Sequence, residues 1–529
     1  MKLSLPNIKL QLSDGNNEIP SAYPWTQVGN VLVKGYMYSG NKLLTGTEFG
    51  RKFENVRSRT DLIRTLQDIV GFYAVIISTD NYVLAAVDRV ASTPLLFRQS
   101  SCLEIGDDFQ HILKRGDTFN ELGVLQYLTS GYVFGNQTLL EGIQQICAGD
   151  VLEFNKSSRT TVTENYYSYI QDQNIRERPT EELINELHSV HLKIFERMVE
   201  TLDGRQAVVP LSGGYDSRLI VEMLHNFSYK NVLCVTWGRA DYWQVGIARD
   251  VAESLGYQWA LIDSSPEDWR KWYNSGAFGN ELCMCGALAS IPYVQDNLIF
   301  NNLYQLGLLQ SDAIMISGNS GDFIEGDHIL ALEDPEDSEG LLQLLESKHM
   351  RLSTVQKPNE ARSAIELELV KFRNLFGTIQ GFDEFWEWRE RQSKFVSKSI
   401  KPFEAKGFEW RMPFWDYELM EFWRGVPRQQ KAARKLFYEY ATKKMAQSVQ
   451  KANPPVSLGQ RYYDALIDGR FGCYDSTKSI FSRLLASNRS VGGFSQSSEL
   501  VSKRPLRLTR FNGLLALDVC SQIEKRVRS

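Results

Sequence analysis

At 529 residues the chain exceeds what one hydrophobic core supports, since domains usually hold about 100–200 residues, and two large domains are expected. Hydrophobic residues make up 43% and charged residues 23%, a globular balance that excludes a chain dominated by disorder. The formal charge of -5 at pH 7 excludes an overall basic field of the kind that draws a protein to nucleic acid or anionic lipid, and points to a small-molecule or peptide substrate.

The opening Met1-Lys2-Leu3-Ser4-Leu5-Pro6 runs into polar residues before an apolar stretch of signal length develops, so no export signal is expected. No run approaches the roughly 18 uninterrupted apolar residues of a membrane span, and a cytoplasmic protein without membrane partners is expected. The seven cysteines are odd in number and mostly scattered, which fits reduced thiols. Cys283-Met284-Cys285 lacks the further Cys or His ligands of a zinc site and reads as ordinary thiols.

From about residue 28 to 165, short β-rich runs such as Gly71–Ile77 and Tyr82–Val87 alternate with turns and predict a sheet-rich first domain, 1–170. A polar stretch around Gln171–Pro179 precedes Thr180-Glu181-Glu182-Leu183, whose hydroxyl and acidic residues suit a helix start opening a second domain, 180–529. Leu183, Leu187, Val190, Leu192, Ile194 and Met198 recur at roughly helical spacing, and the run ends near Gly204. Ala207-Val208-Val209-Pro210-Leu211 reads as a short buried strand, followed by a glycine loop and the apolar helix pattern Leu219–Leu224. A second strand at Val232–Thr236 and a crossover helix at Val245–Leu255, closed by Gly256, complete a βαβ pattern and predict a parallel α/β sheet. After about residue 335 the pattern turns helical and aromatic-rich, with Trp386, Trp388, Trp410, Trp415 and Trp423.

The loop Ser212-Gly213-Gly214-Tyr215-Asp216-Ser217 carries the clearest chemistry. Its glycines let the backbone turn tightly and approach a ligand, while the following helix presents unpaired N–H groups at its positive end, a geometry that holds polyphosphate. Ser212 and Ser217 can add hydroxyl donors, and Asp216 suits Mg²⁺, because hard cations prefer carboxylate oxygen.

This loop resembles the PP-loop of the N-type ATP pyrophosphatases, which cleave ATP to AMP and pyrophosphate; the Gly-Lys-Ser/Thr element of a Walker A loop is absent. The asparagine synthetase-like branch matches best. Its second signature, Ser-Gly-Glu-Gly-Ser-Asp-Glu, is similar to Ser317-Gly318-Asn319-Ser320-Gly321-Asp322, which follows Ala313-Ile314-Met315-Ile316. The resemblance implies ATP and Mg²⁺ as cofactors, Leu211, Ser212, Gly213, Gly214, Asp216, Ser217 and Gly318 against the nucleotide, and Asp216 and Asp322 as paired metal ligands. Asn319 stands where asparagine synthetases carry Glu, which argues against asparagine as product and resembles the variant in asparagine synthase-like amidotransferases of surface-polysaccharide pathways. Arg411-Met412-Pro413-Phe414-Trp415-Asp416 resembles the family's Arg-x-Pro-Phe-Leu-Asp motif, and Lys435-Leu436-Phe437-Tyr438 its Lys-x-Leu-Leu-Arg element. Lys451 is the candidate for the family's mobile-loop lysine, whose charge stabilises the departing phosphate. Arg411, Asn319 and Lys451 are thus the catalytic candidates.

The first domain resembles the class II glutamine amidotransferase domain of the Ntn type through Asp88–Leu95, Gly131–Gly135, Thr138–Ile143 and Gly149. That family uses an N-terminal Cys as nucleophile, and here position 2 is Lys2, so a retained fold without glutaminase activity is expected. Together the resemblances imply an ATP-dependent amide ligase that adenylates a carbonyl oxygen and joins it to ammonia or an amine. A separate glutaminase partner would suit a sugar amidotransferase; an amine within the substrate would suit a β-lactam synthetase or lasso-peptide cyclase analogue. A PP-loop tRNA-modifying enzyme is a further class, against which the acidic balance speaks. A homodimer is compatible with all of these.

Overall fold

The computed structural model describes residues 8–12, 21–99, 102–172, 175–237, 240, 243–262, 271–272, 286, 288–294, 296–329, 337–352, 359–450 and 511–528. Lys2, Cys283, Cys285 and Lys451 lie outside the described residues. Among the described residues, no helix is long and apolar enough to cross a membrane.

The amino-terminal part is built from eleven strands in two sheets. Strands β1 (Ile8–Gln11), β8 (Leu103–Gly106), β7 (Leu96–Gln99) and β9 (Ile143–Gln145) form one sheet in that order. The second runs β11 (Thr160–Asn165), β10 (Asp150–Asn155), β6 (Tyr82–Val87), β5 (Val70–Ser78), β3 (Val31–Ser39) and β2 (Thr26–Val28), with β4 (Lys42–Thr45) also on β3. Every pairing in this second sheet is antiparallel.

The carboxy-terminal part carries one five-stranded sheet in the order β14 (Gln258–Ile262), β13 (Val232–Trp237), β12 (Ala207–Pro210), β15 (Ile314–Ile316) and β16 (Glu409–Arg411). All its pairings are parallel. The unbroken apolar runs Ala207-Val208-Val209 and Ile314-Met315-Ile316 are what a sheet buried on both faces requires. The chain adds β13 and β14 on one side of β12, then crosses back to add β15 and β16 on the other. The order reverses between β12 and β15, and in open parallel sheets that reversal opens a crevice beyond the strands' carboxyl ends.

The helix Thr180–Glu200 buries Leu183, Leu187, His191, Ile194 and Met198, one face at helical spacing. Leu192 falls off that face and is exposed, and His191 takes the place in the stripe that the apolar reading passed over. Thr180 lies inside the helix, and Pro179 precedes it with no side-chain cap. The described residues after 335 are mostly helical with Trp386, Trp388, Trp410, Trp415 and Trp423 all buried, but Glu409–Arg411 is extended and closes the parallel sheet.

A smaller apolar cluster gathers Leu96, Phe109 and Tyr127 with Leu288, Ile291 and the helix Phe511–Arg528, and the larger one runs through both parts. Its seam is aromatic: the Trp410 ring lies 5.5 Å from Tyr23, 5.5 Å from Tyr36 and 5.6 Å from Phe72. Buried ions reinforce it, with Lys34 on β3 lying 3.3 Å from both Asp107 and Glu404. A second fastening is the π-helical turn Glu387–Gln392 and the residues just beyond it. Gln392 accepts from Ser320 Oγ at 2.8 Å, while Lys394 donates to the carbonyls of Val133 at 2.6 Å and Gly135 at 2.7 Å.

Candidate active site

The glycine loop leaves the carboxyl end of β12. Leu211 continues the strand, its N–H donating to Val235 O at 2.8 Å and its carbonyl accepting from Thr236 Oγ1 at 2.7 Å. The chain then turns into the helix Tyr215–Asn226, capped by Gly214, which has no side chain to satisfy the first-turn N–H groups. Ser212 and Ser217 brace the turn: the Ser212 N–H donates to Ser217 Oγ at 3.0 Å, and the two hydroxyl oxygens lie 3.1 Å apart. The Gly214 N–H donates to Ser212 Oγ at 3.1 Å. Gly213 is required by packing, since a Cβ there would stand 2.9 Å from Cβ and Cγ of Gln244.

The second loop leaves the adjacent β15. Gly318 faces the helix start rather than open space, and a Cβ there would meet Ser217 N at 3.4 Å and Ile220 Cδ1 at 3.5 Å. The Asn319 N–H donates to Ser317 Oγ at 3.3 Å. Ser320 is left-handed at φ 72°, a strained conformation for a residue with a Cβ, and it opens the short helix Gly321–Ile324. That turn sets Gly321 against Asp216, where a Cβ would come within 2.7 Å of the Asp216 Cγ.

Asp216 and the loop that bears Asp322 therefore meet. The backbone of the second loop comes up against the Asp216 carboxylate at Gly321, and burial, with the Asp322 charge adding to it, pushes Asp216 above its ordinary range despite a neighbouring guanidinium. Asp322 stands with Asp327 and His328, their ligand atoms all within 4.8 Å of one another, and His328 Nε2 lies 3.4 Å from Asp322 Oδ2. Glu325 is almost wholly buried beside them, and burial holds its carboxyl well above the usual range. Asp216 and Glu325 share one arginine while Asp322 and Asp327 stand close by, and carboxylate oxygens backed by an imidazole are a donor set that suits a divalent cation.

That arginine is Arg434, which sequence reasoning passed over. Its Nη2 donates to both Asp216 Oδ1 and Glu325 Oε2. It immediately precedes the Lys435-Leu436-Phe437-Tyr438 element, the only sequence cue to its place. Glu325, Asp327 and His328 had a clearer signal in the density of acidic and imidazole side chains after Asp322.

Arg411 does not join these groups. Its guanidinium is buried at the aromatic seam, donating to Tyr23 OH at 2.8 Å, Trp410 O at 2.9 Å and Glu409 Oε2 at 3.2 Å. Like its neighbour Trp410 it meets Tyr23 and Tyr36, its guanidinium lying 5.0 Å from the Tyr36 ring, so its evident work is to join the two parts. Gln450, the last described residue before Lys451, accepts from Tyr215 OH at 3.4 Å, and Val449 O accepts from Arg218 at 2.8 Å. A small cavity lined by Ala91, Cys147, Lys394 and Lys398 lies elsewhere, at the seam between the two parts.

No family model and no curated protein matches the chain. Among solved structures, an NH3-dependent NAD synthetase from Campylobacter jejuni subsp. jejuni is similar over 42% of this chain and 96% of its own, at 13% identity and a TM-score of 0.21. An NMN synthetase from Francisella tularensis is similar over 44% and 94%, at 13% identity and a TM-score of 0.20. A glutamine phosphoribosylpyrophosphate amidotransferase from B. subtilis is similar over 57% and 58%, at 11% identity and a TM-score of 0.17. Likenesses of this size leave the assignment to the geometry of the site itself.

Proposed function

We propose that the chain is an ATP-dependent carbon–nitrogen ligase of the asparagine synthetase-like kind. The observation that carries this reading is the approach of the second loop, which bears Asp322, to Asp216 at the reversal of a parallel sheet, beside a glycine turn that opens a helix. The first-turn N–H groups and the hydroxyls of Ser212 and Ser217 hold the phosphate chain, and Gly214 at the helix start lets it approach the backbone. Asp216 and Asp322 hold Mg²⁺, with Asp327 and His328 behind Asp322. The ion supplies charge neutralisation on the phosphates. A substrate carbonyl or carboxylate oxygen attacks the α-phosphorus, pyrophosphate leaves, and ammonia or an amine then displaces AMP to form the C–N bond. Asn319, half-buried in the second loop, contacts the carbonyl substrate in this reading, and Lys451 follows in sequence on a residue that touches Tyr215 of the first loop.

The test is substrate-dependent ATP–pyrophosphate exchange with candidate carboxylates. Asp216→Ala and Asp322→Ala each remove exchange by more than about a hundred-fold while the circular dichroism spectrum stays that of the parent, as expected for electrostatic groups at the reacting phosphates. Calorimetry showing no uptake of ATP in the presence of magnesium by the parent protein sinks the reading.

A further inference from the structure

Arg434 is placed with unusual care for a residue that no sequence motif marks. Ala433 and Arg434 are both left-handed, at φ 54° and 61°, and neither is glycine. The guanidinium stacks over Phe437 at 4.6 Å and lies 5.6 Å from the Tyr438 ring. One nitrogen, Nη2, serves two carboxylates at once, Asp216 and Glu325. The rest of this buried pair is underused: among the described residues, Arg434 Nε and Glu325 Oε1 have no hydrogen-bond partner. Buried polar atoms are nearly always satisfied, so an arginine with an idle N–H beside a polyphosphate-shaped turn has a ligand still to meet.

The two carboxylates are not equivalent. The Glu325 side chain is 1% exposed and Asp216 is 18% exposed. Glu325 is thus the deep anchor, which loses most if left alone, and Asp216 the outward partner that another cation can reach. A guanidinium lying on an aromatic face can pivot in its own plane without losing that contact, and its five N–H donors match phosphoryl oxygens in pairs.

Resting on the functional reading above, we propose that Arg434 is the exchangeable counter-ion of Asp216. Arg434 yields Asp216 to the divalent ion, stays anchored on Glu325, and turns its freed N–H groups to the phosphate chain of the nucleotide. It is a phosphate-binding residue and at the same time a competitor for the metal's ligand.

These two roles predict effects of opposite sign. Binding of Mn²⁺ alone is measured by electron paramagnetic resonance on the full chain, and binding of ATP in the presence of Mg²⁺ by calorimetry. Arg434→Ala and Arg434→Gln bind Mn²⁺ about ten-fold more tightly than the parent and ATP about ten-fold more weakly, the size of an ordinary coupling between sites. Arg434→Lys, which keeps charge but cannot reach both carboxylates, falls between. Adding Asp216→Asn to Arg434→Ala removes the Mn²⁺ gain. Misfolding lowers both affinities and cannot mimic this pattern. Unchanged or weaker Mn²⁺ binding by a folded Arg434→Gln protein overturns the proposal. If the parent takes up Mn²⁺ through Asp216 but never ATP, the ligase reading and the phosphate role fall, while the counter-ion role is decided by the Mn²⁺ arm alone.

Discussion

At the scale of single residues, the site depends on glycines whose missing side chains make room for something definite. A Cβ at Gly321 collides with the Asp216 carboxylate, 2.7 Å from Cγ and 3.0 Å from Oδ2. The overpacking, about 1–3 kcal/mol, falls on the proposed metal ligand itself. Gly321→Ala is expected to weaken ATP binding in magnesium by about ten-fold or more, near 1.4 kcal/mol, read by calorimetry. Gly256→Ala is the contrast: at φ +72° with open space around it, the added methyl strains the backbone and touches nothing. It lowers stability by about 1–2 kcal/mol in denaturant melts and leaves nucleotide affinity unchanged. Asp216, Ser212 and Ser217 were legible in the sequence because a contiguous motif on a strand-to-helix turn fixes their positions. Arg434 was not, because nothing in a local pattern says which distant arginine will reach into a turn. The place of Arg411 at the aromatic seam was not legible for the related reason that a motif shows a residue matters without showing which distant residues it meets.

At the scale of elements, the helix Thr180–Glu200 carries a polar residue on its buried stripe. His191 is 1% exposed, and neither ring nitrogen has a hydrogen-bond partner among the described residues. Burial, with a smaller contribution from His188, pulls its pKa down from 6.5 to about 3. The folded state therefore keeps the ring neutral, while the unfolded chain takes up a proton below pH 6.5, so stability present above that pH is lost as the pH falls toward 3. The loss reaches up to about 1.4 kcal/mol per pH unit. His191→Phe removes its share of that slope: the stability difference between urea melts at pH 7.5 and 5.5 is expected to be smaller in the variant than in the parent by about 1.4 kcal/mol. The share of His349, whose pKa burial also pulls down to about 3, remains. Strands and helices between 180 and 256 were legible because their periodicity is local. The strand Glu409–Arg411 was not: it is three residues long, and only its neighbour β15, far away in sequence, makes it a strand.

At the scale of the whole molecule, one apolar cluster crosses the seam, so the two parts should unfold together. A single calorimetric transition is expected for the parent. Trp410→Ala, which empties a site 1% exposed between Tyr23, Tyr36 and Phe72, lowers the stability of the whole by about 3–5 kcal/mol without splitting the transition. Two resolved transitions would show that the parts are only neighbours. The wide turn Glu387–Gln392 has a comparable reach. A π-turn is an α-helix holding one residue too many. Excising that surplus residue would rewind the segment to ordinary pitch and swing everything downstream by roughly 100° about its axis. Gln392 would lose Ser320 in the same stroke that took Lys394 away from Val133 and Gly135. The loop that positions Asp322 and the amino-terminal sheets thus hang from a single rivet, and neither can be re-registered without dragging the other.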